Sequence, residues 1–178
     1  MIEQNWEVYA TVGQLALRLP ASRVEEIGFH ESNHDGAQRQ EPVDIVRTRT
    51  LESRDRDTDG HGAADIVVDP AVEIRSPVSG VVKRAGGYTL YCDHRDFFAV
   101  IEPDIRAGWE VKVLHLTGML VRPGDRVEAG VTVLAPGARV LPFTSQVDEF
   151  TGEPSWPHVH IEVVDPSIPD RPGSGGGC

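Results

Sequence analysis

From Ala64 onward the chain is written as short β-rich runs divided by turn residues. Ile66 to Val68, Val78 to Val82, Tyr88 to Tyr91, Phe97 to Ile101, Val111 to Leu116, Val131 to Leu134 and Val159 to Val164 are the runs. Asp69-Pro70, Gly86-Gly87, Glu102-Pro103-Asp104, Arg122-Pro123-Gly124-Asp125 and Pro136-Gly137 separate them. β-Branched and aromatic side chains suit a pleated, half-buried surface, whereas Gly, Pro and Asp supply the tight turns. No stretch long enough for a helix of several turns carries the 3.6-residue period. The pattern predicts an all-β domain of many short strands.

Upstream, residues 5–30 offer a short apolar alternation (Trp6, Val8, Tyr9, Val12, Leu15, Leu17, Leu19) that stops at Pro20. The polar stretch from about Glu31 to Asp59 reads as loop, with one candidate strand at 44–51, DIVRTRTL. The tail PSIPDRPGSGGGC is too rich in Pro and Gly to pack and is expected to be extended or mobile. The expected organisation is an N-terminal extension over 1–55, packed on or covering a groove, a core domain over 56–166 and a flexible tail over 167–178.

Charge narrows the partners. With 28 acidic against 17 basic residues the net charge is −11, opposite to what a nucleic-acid phosphate backbone or an anionic lipid surface requires. No run of 18 apolar residues exists to span a membrane. The start, MIEQNWEVYA, has neither a basic n-region nor an apolar h-region, so no signal peptide is visible. That leaves a cytosolic protein or a fragment of a longer exported one. Cys92 and Cys178 are either two free thiols or a bridge tying down the tail.

Seven histidines form two rival metal-ligand sets. His30-Glu31-Ser32-Asn33-His34 spells His-Glu-x-x-His, in which a helix would place both imidazoles on one zinc and the glutamate beside its water. Gly28, Ser32-Asn33 and Asp35-Gly36 favour turns and caps over helix interior, and no apolar stripe surrounds the motif. It reads as a polar loop, with an accessory contact over the groove as the functional alternative. The second set suits strands. His61 and Asp65 stand four apart, an even separation that keeps both on one face if the segment is extended. In Pro157-His158-Val159-His160-Ile161-Glu162 the polar residues alternate with period two, and His115 is a lone histidine in an apolar strand. Two imidazoles and one carboxylate leave a fourth tetrahedral position open, as in catalytic zinc sites.

These residues resemble the lysostaphin-like (LytM-type) zinc endopeptidases that cut peptide cross-links of bacterial peptidoglycan. The resemblance runs from about Gly60 to Asp165. HGAAD (61–65) is similar to the family's His-x-x-x-Asp and SPVSGVV (76–82) to its Ala-Pro-x-x-Gly-x-Val. LHL (114–116), VRPGDRVEAGVTV (121–133) and PHVHIE (157–162) follow in the family's order. The resemblance implies an antiparallel short-strand sheet or sandwich related to the barrel-sandwich hybrid, and an extracytoplasmic location. It implies His61, Asp65 and His160 as Zn2+ ligands, with His115 and His158 as the catalytic pair beside the metal-bound water. By implication zinc polarises the scissile carbonyl and acidifies its water, while a histidine takes a proton and steadies the oxyanion. Glu162, on the same strand face, either orients one of the histidines or is a solvated surface carboxylate.

Three segments depart from the family pattern. Ala63 stands where the family usually has glycine, YCDHRDFF and EPDIRAGWE replace a Gly-Asn-rich turn, and LPFTSQVDEFTGEPSW (141–156) replaces a short Ser-Thr-Gly loop. These segments border the expected groove, so specificity does not carry over. A catalytically silent domain binding cell wall or a regulatory protein partner is the alternative. A biotinyl or lipoyl carrier domain, similar in its short strands, would need its modifiable lysine on an exposed hairpin, and neither Lys83 nor Lys112 lies in such a turn.

Overall fold

The computed structural model describes residues 1–153 and 156–171. Among them the chain forms β1 (Ile2–Glu3), β2 (Val8–Val12), β3 (Leu15–Arg18), β4 (Arg23–His30), β5 (Glu41–Pro42), β6 (Arg47–Thr50) and β7 (Ala63–Val68). There follow β8 (Ile74–Arg75), β9 (Gly80–Leu90), β10 (His94–Pro103), β11 (Glu110–Leu116), β12 (Arg126–Val127), β13 (Val133–Ala135) and β14 (His158–Val164). A 3-10 turn at Gln146–Phe150 is the one helical element among the described residues. The protein is all-β, and the short runs and turn residues of the sequence account for it.

Nine strands make the main sheet, in the order β1-β4-β7-β14-β11-β10-β9-β12, with β6 pairing parallel to β4. The other pairs in it are antiparallel. Two small sheets, β13-β8 and β3-β2-β5, complete the fold. The middle of the main sheet is covered on both faces, so all six residues of β7 are buried. That is why AADIVV is a continuous small-and-apolar run, broken only by Asp65. Ile66, Val113, Ile161 and Ala99 from this sheet pack with Leu17, Ile74 and Leu134 from the small sheets, and with Leu19 just after β3, in one core. Gly80 permits the β9–β10 approach: a Cβ there would collide with the Glu102 carbonyl.

No break in the sheet falls near residue 55. The expected N-terminal extension is instead woven into the fold, because β4 lies hydrogen-bonded between β1 and β7. Its apolar residues Val24, Ile27 and Phe29 are buried, which a removable cover would not require. The polar stretch is tied in as well. Gln40, fully buried, accepts from Tyr9 Oη at 2.9 Å and donates to the Ile161 carbonyl at 3.0 Å. Burial pushes the Tyr9 phenol above its ordinary pKa, so it stays a neutral donor. The first residues of the expected flexible tail are held: Asp170 accepts from the Asp35 backbone and Arg171 pairs with the Asp35 carboxylate. Residues 172–178, and with them the Cys92–Cys178 alternative, lie outside the described residues.

Candidate metal centre and its flanking histidines

Register brings the site together. His160 on β14 stands opposite Asp65 on β7, and Leu114 on β11 stands opposite His160. On the other side of β7, Gly28 of β4 pairs with Asp65 and His30 pairs with Ala63, so His30 is diagonal to Asp65 on the same face. One ligand atom from each of His30, Asp65 and His160 lies within 4.8 Å of the others.

The donor set fits a cation. The Glu31 carbonyl can only accept, so the contact of 2.8 Å to His30 Nδ1 fixes the proton on that nitrogen. With that proton in place, Nε2 is the nitrogen left to meet a ligand, offering a lone pair when the ring carries one proton. It is buried, has no hydrogen-bond partner and lies 3.2 Å from Asp65 Oδ1. A buried carboxylate oxygen facing that nitrogen is satisfied by a positive species between them, a proton or a metal ion. Asp65 Oδ1 also accepts from His160 Nδ1 at 2.9 Å. Burial alone would raise the Asp65 pKa, but the surrounding His30, His158 and His160 hold it well below the usual carboxylate range. Burial likewise opposes charge on His160, yet its bonds to Asp65 and Glu162 lift it to about 9.

Glu162 is no solvated surface carboxylate. It is buried, accepts from Ser32 Oγ, lies 3.0 Å from Lys112 Nζ, and faces His160 Nε2 at 3.8 Å. Although burial acts to raise it, His160, Lys112 and Ser32 hold its carboxyl far below the ordinary value. Ser32 Oγ in turn accepts from the His34 backbone.

His61 is a correction to the expected ligand set. β7 begins at Ala63, and Gly60 to Gly62 form a turn closed by Gly62 N–H on the Asp59 carbonyl. The even-spacing rule therefore does not reach back to His61. Its Nδ1 donates to the Gln40 carbonyl at 3.2 Å, its Nε2 accepts from Thr50 Oγ1 at 2.8 Å, and the ring stacks on Phe29. His30 occupies the place that spacing gave to His61. The His-Glu-x-x-His motif thus supplies a candidate ligand, but from a strand end and not from a helix. His34 stays apart, accepting from Gly36 N–H.

His115 and His158 flank the triad, with ring centroids 5.0 Å apart, and His115 lies 5.9 Å from the His160 ring. The register shift between Phe97 and Phe98 opposite Leu116 and Leu114 leaves His115 as the extra residue of a β-bulge, at φ +67°. The bulge turns its ring toward the site. Nδ1 donates to Asp96 Oδ2 at 2.7 Å, and Asp96 also accepts from Tyr88 Oη at 2.6 Å and from the Phe97 backbone. Burial would raise Asp96, but these donors and the charge of His115 lower it overall. His158, buried, is pushed down to about 4 chiefly by that burial, against the pull of Asp65.

The cavity over these groups measures about 510 Å³ and is walled by Tyr88, Tyr91, Phe143, Arg54 and Arg56. Sequence reasoning missed His30 as a ligand, Asp96 as the partner of His115, Ser32 and Lys112 on Glu162, and the arginines. Only His30 and Asp96 left a trace: a histidine set aside with its helical His-Glu-x-x-His pattern, and an acid in the atypical YCDHRDFF segment. No family model, curated protein or solved structure matches this chain.

Proposed function

We propose that the chain is a zinc-dependent endopeptidase hydrolysing peptide bonds of bacterial peptidoglycan, outside the cytoplasmic membrane. The observation that carries this reading is the buried, unpartnered His30 Nε2 facing Asp65 in a group completed by His160. Two imidazoles and a carboxylate suit zinc and leave a coordination position for substrate. When bound, zinc supplies a Lewis acid that polarises a carbonyl and acidifies water.

The chain's own groups divide the remaining work. His30, Asp65 and His160 would hold the ion, and the Glu31 carbonyl and Glu162 orient the two rings from behind. His115, with Nδ1 committed to Asp96, takes the proton of the attacking water at Nε2. His158, neutral near pH 7, offers an N–H to the developing oxyanion. The aromatic wall packs the peptide and excludes water from the reacting bond.

The test is metal content paired with hydrolysis. Purified protein should carry about one zinc per chain, as three-ligand sites do, and release peptides from peptidoglycan detectable by mass. His160→Ala should abolish both. Zinc-free wild type under non-chelating conditions would remove the enzyme reading in favour of a silent cell-wall-binding domain.

A further inference from the structure

Most arginines of this acidic chain are spoken for. Arg47 and Arg49 pair with Glu26, Arg39 with Glu41 and Asp59, Arg75 with Glu73, and Arg171 with Asp35. Arg54 and Arg56 differ. Both line the cavity beside the metal group, and neither makes an ion pair among the described residues. Arg54 Nε donates to Gln146 Oε1 at 2.6 Å and Arg56 Nη1 donates to the Glu31 carbonyl at 2.8 Å. Each therefore keeps donors in hand.

The loop that carries them is built. Asp55 and Asp57, flanking Arg56, sit at φ +56° and +58°, a conformation that costs non-glycine residues energy and persists only when held. Glu31 holds it: its carboxylate accepts from Ser53 Oγ and from the backbones of Arg54 and Arg56. The same residue's carbonyl accepts from both His30 Nδ1 and Arg56 Nη1, which locks one guanidinium against a candidate metal ligand. Burial, and then the charge of Arg54, pushes the Arg56 guanidinium down from its ordinary value. Two like charges are thus held together, half-buried; Glu31 and Asp65 offset the Arg56 charge only through space, and no carboxylate pairs directly with either guanidinium among the described residues. The cavity's own acids are engaged elsewhere, Asp65 with the histidines and Glu162 with Lys112.

We infer that Arg54 and Arg56 form a carboxylate-binding subsite, so that the preferred peptide bears a free carboxylate close to the bond at the metal. The inference rests on the peptidase reading for its choice of ligand. A guanidinium fork matches a carboxylate in two parallel hydrogen bonds, and peptides present that group at a free C-terminus or on an acidic side chain.

Three probes separate these sources: acetyl-tetraglycine with a free C-terminus, its C-terminal amide, and acetyl-Gly-Gly-Glu-Gly amide. Binding to the full chain is read by calorimetry with and without added zinc, and cleavage separately by mass. One of the two carboxylate peptides should bind about tenfold or more tightly than the simple amide, a ratio expected of charge-assisted pairing; which one does so assigns the source. The ratio should fall to near one in the Arg54→Met/Arg56→Met double variant and be intermediate in Arg56→Lys, with amide binding as the internal control for a folded site. Equal binding of all three by wild type, or an unchanged ratio in the double variant, overturns the subsite. Selective binding without cleavage keeps the subsite and overturns the peptidase reading; cleavage without selectivity does the reverse.

Discussion

His30 and His61 look interchangeable on paper, and their surroundings make them opposites. The His30 ring points an unpartnered nitrogen at a carboxylate, whereas both nitrogens of His61 are satisfied by Gln40 and Thr50. His30→Ala should therefore strip zinc from the protein, while His61→Ala should leave zinc content intact and lower stability by about 1–2 kcal/mol through its lost hydrogen bonds and stacking. Metal analysis of the two variants side by side, with urea unfolding, reads both effects; loss of zinc in His61→Ala alone would reverse the assignment. Asp96 acts through His115. An amide at 96 would present its NH2 to the ring or favour the wrong tautomer, so Asp96→Asn should cut hydrolysis by about 10²-fold or more with zinc retained. Asp96 also sets an acid limit. Its folded-state pKa lies below the ordinary 3.8, so its stabilisation is present above that value and lost as pH falls through the lower one. Across pH 5 to 2, the stability gap between wild type and Asp96→Asn should narrow, as followed by urea unfolding at each pH.

At the scale of the strand, β14 was fully legible and β11 only half so. The period-two alternation of PHVHIE requires no knowledge of partners, and His158, His160 and Glu162 fall on one face as the spacing predicts. Asp65 was legible too, through its even spacing from His61, although His61 itself lies off the strand. His115 could be seen as an anomaly in an apolar strand, but its direction depends on a bulge set by pairing with β10, which no local pattern encodes. The sequence offers His30 as a ligand only in a helical pair with His34, and its true partner was illegible for a related reason: its place next to Asp65 is a register between β4 and β7, segments 35 residues apart at Asp65 and His30. The spacing rule that selected His61 failed because a turn, and not a strand, connects it to Asp65. The bulge makes its own prediction. His115→Gly and His115→Ala both lack the ring's bond to Asp96, so His115→Gly should be the more stable by up to about 1 kcal/mol, since glycine adopts φ +67° freely. His115→Val should lose about 1–3 kcal/mol relative to His115→Gly, the range for a strained residue made β-branched. All three variants should be inactive and bind zinc. Equal stabilities in chemical denaturation would show that the bulge relaxes when the ring is removed.

For the molecule as a whole, the main question is whether the first 55 residues are an accessory. Charge and composition set them apart from the short-strand core, and the family resemblance begins only at about Gly60. The sheet contradicts that division. β4 covers one edge of β7, buries Val24, Ile27 and Phe29, brings β1 and β6 with it and delivers His30 to the site. Stripping it would leave the backbone of β7 without its partner on one side and expose the apolar face of Ile66 and Val68, an edge prone to association. The protein beginning at Arg56 should therefore fail to fold as a monomer, with no cooperative melting transition and no zinc bound. Co-expressing residues 1–55 as a separate chain should restore both in part, because the missing elements are a strand partner and a ligand and not a covalent link. A cooperatively folding, zinc-binding 56–178 fragment would show instead that Asp65 and His160 recruit a different third ligand. His61 is the nearest candidate in sequence, and its substitution in that fragment would decide the point.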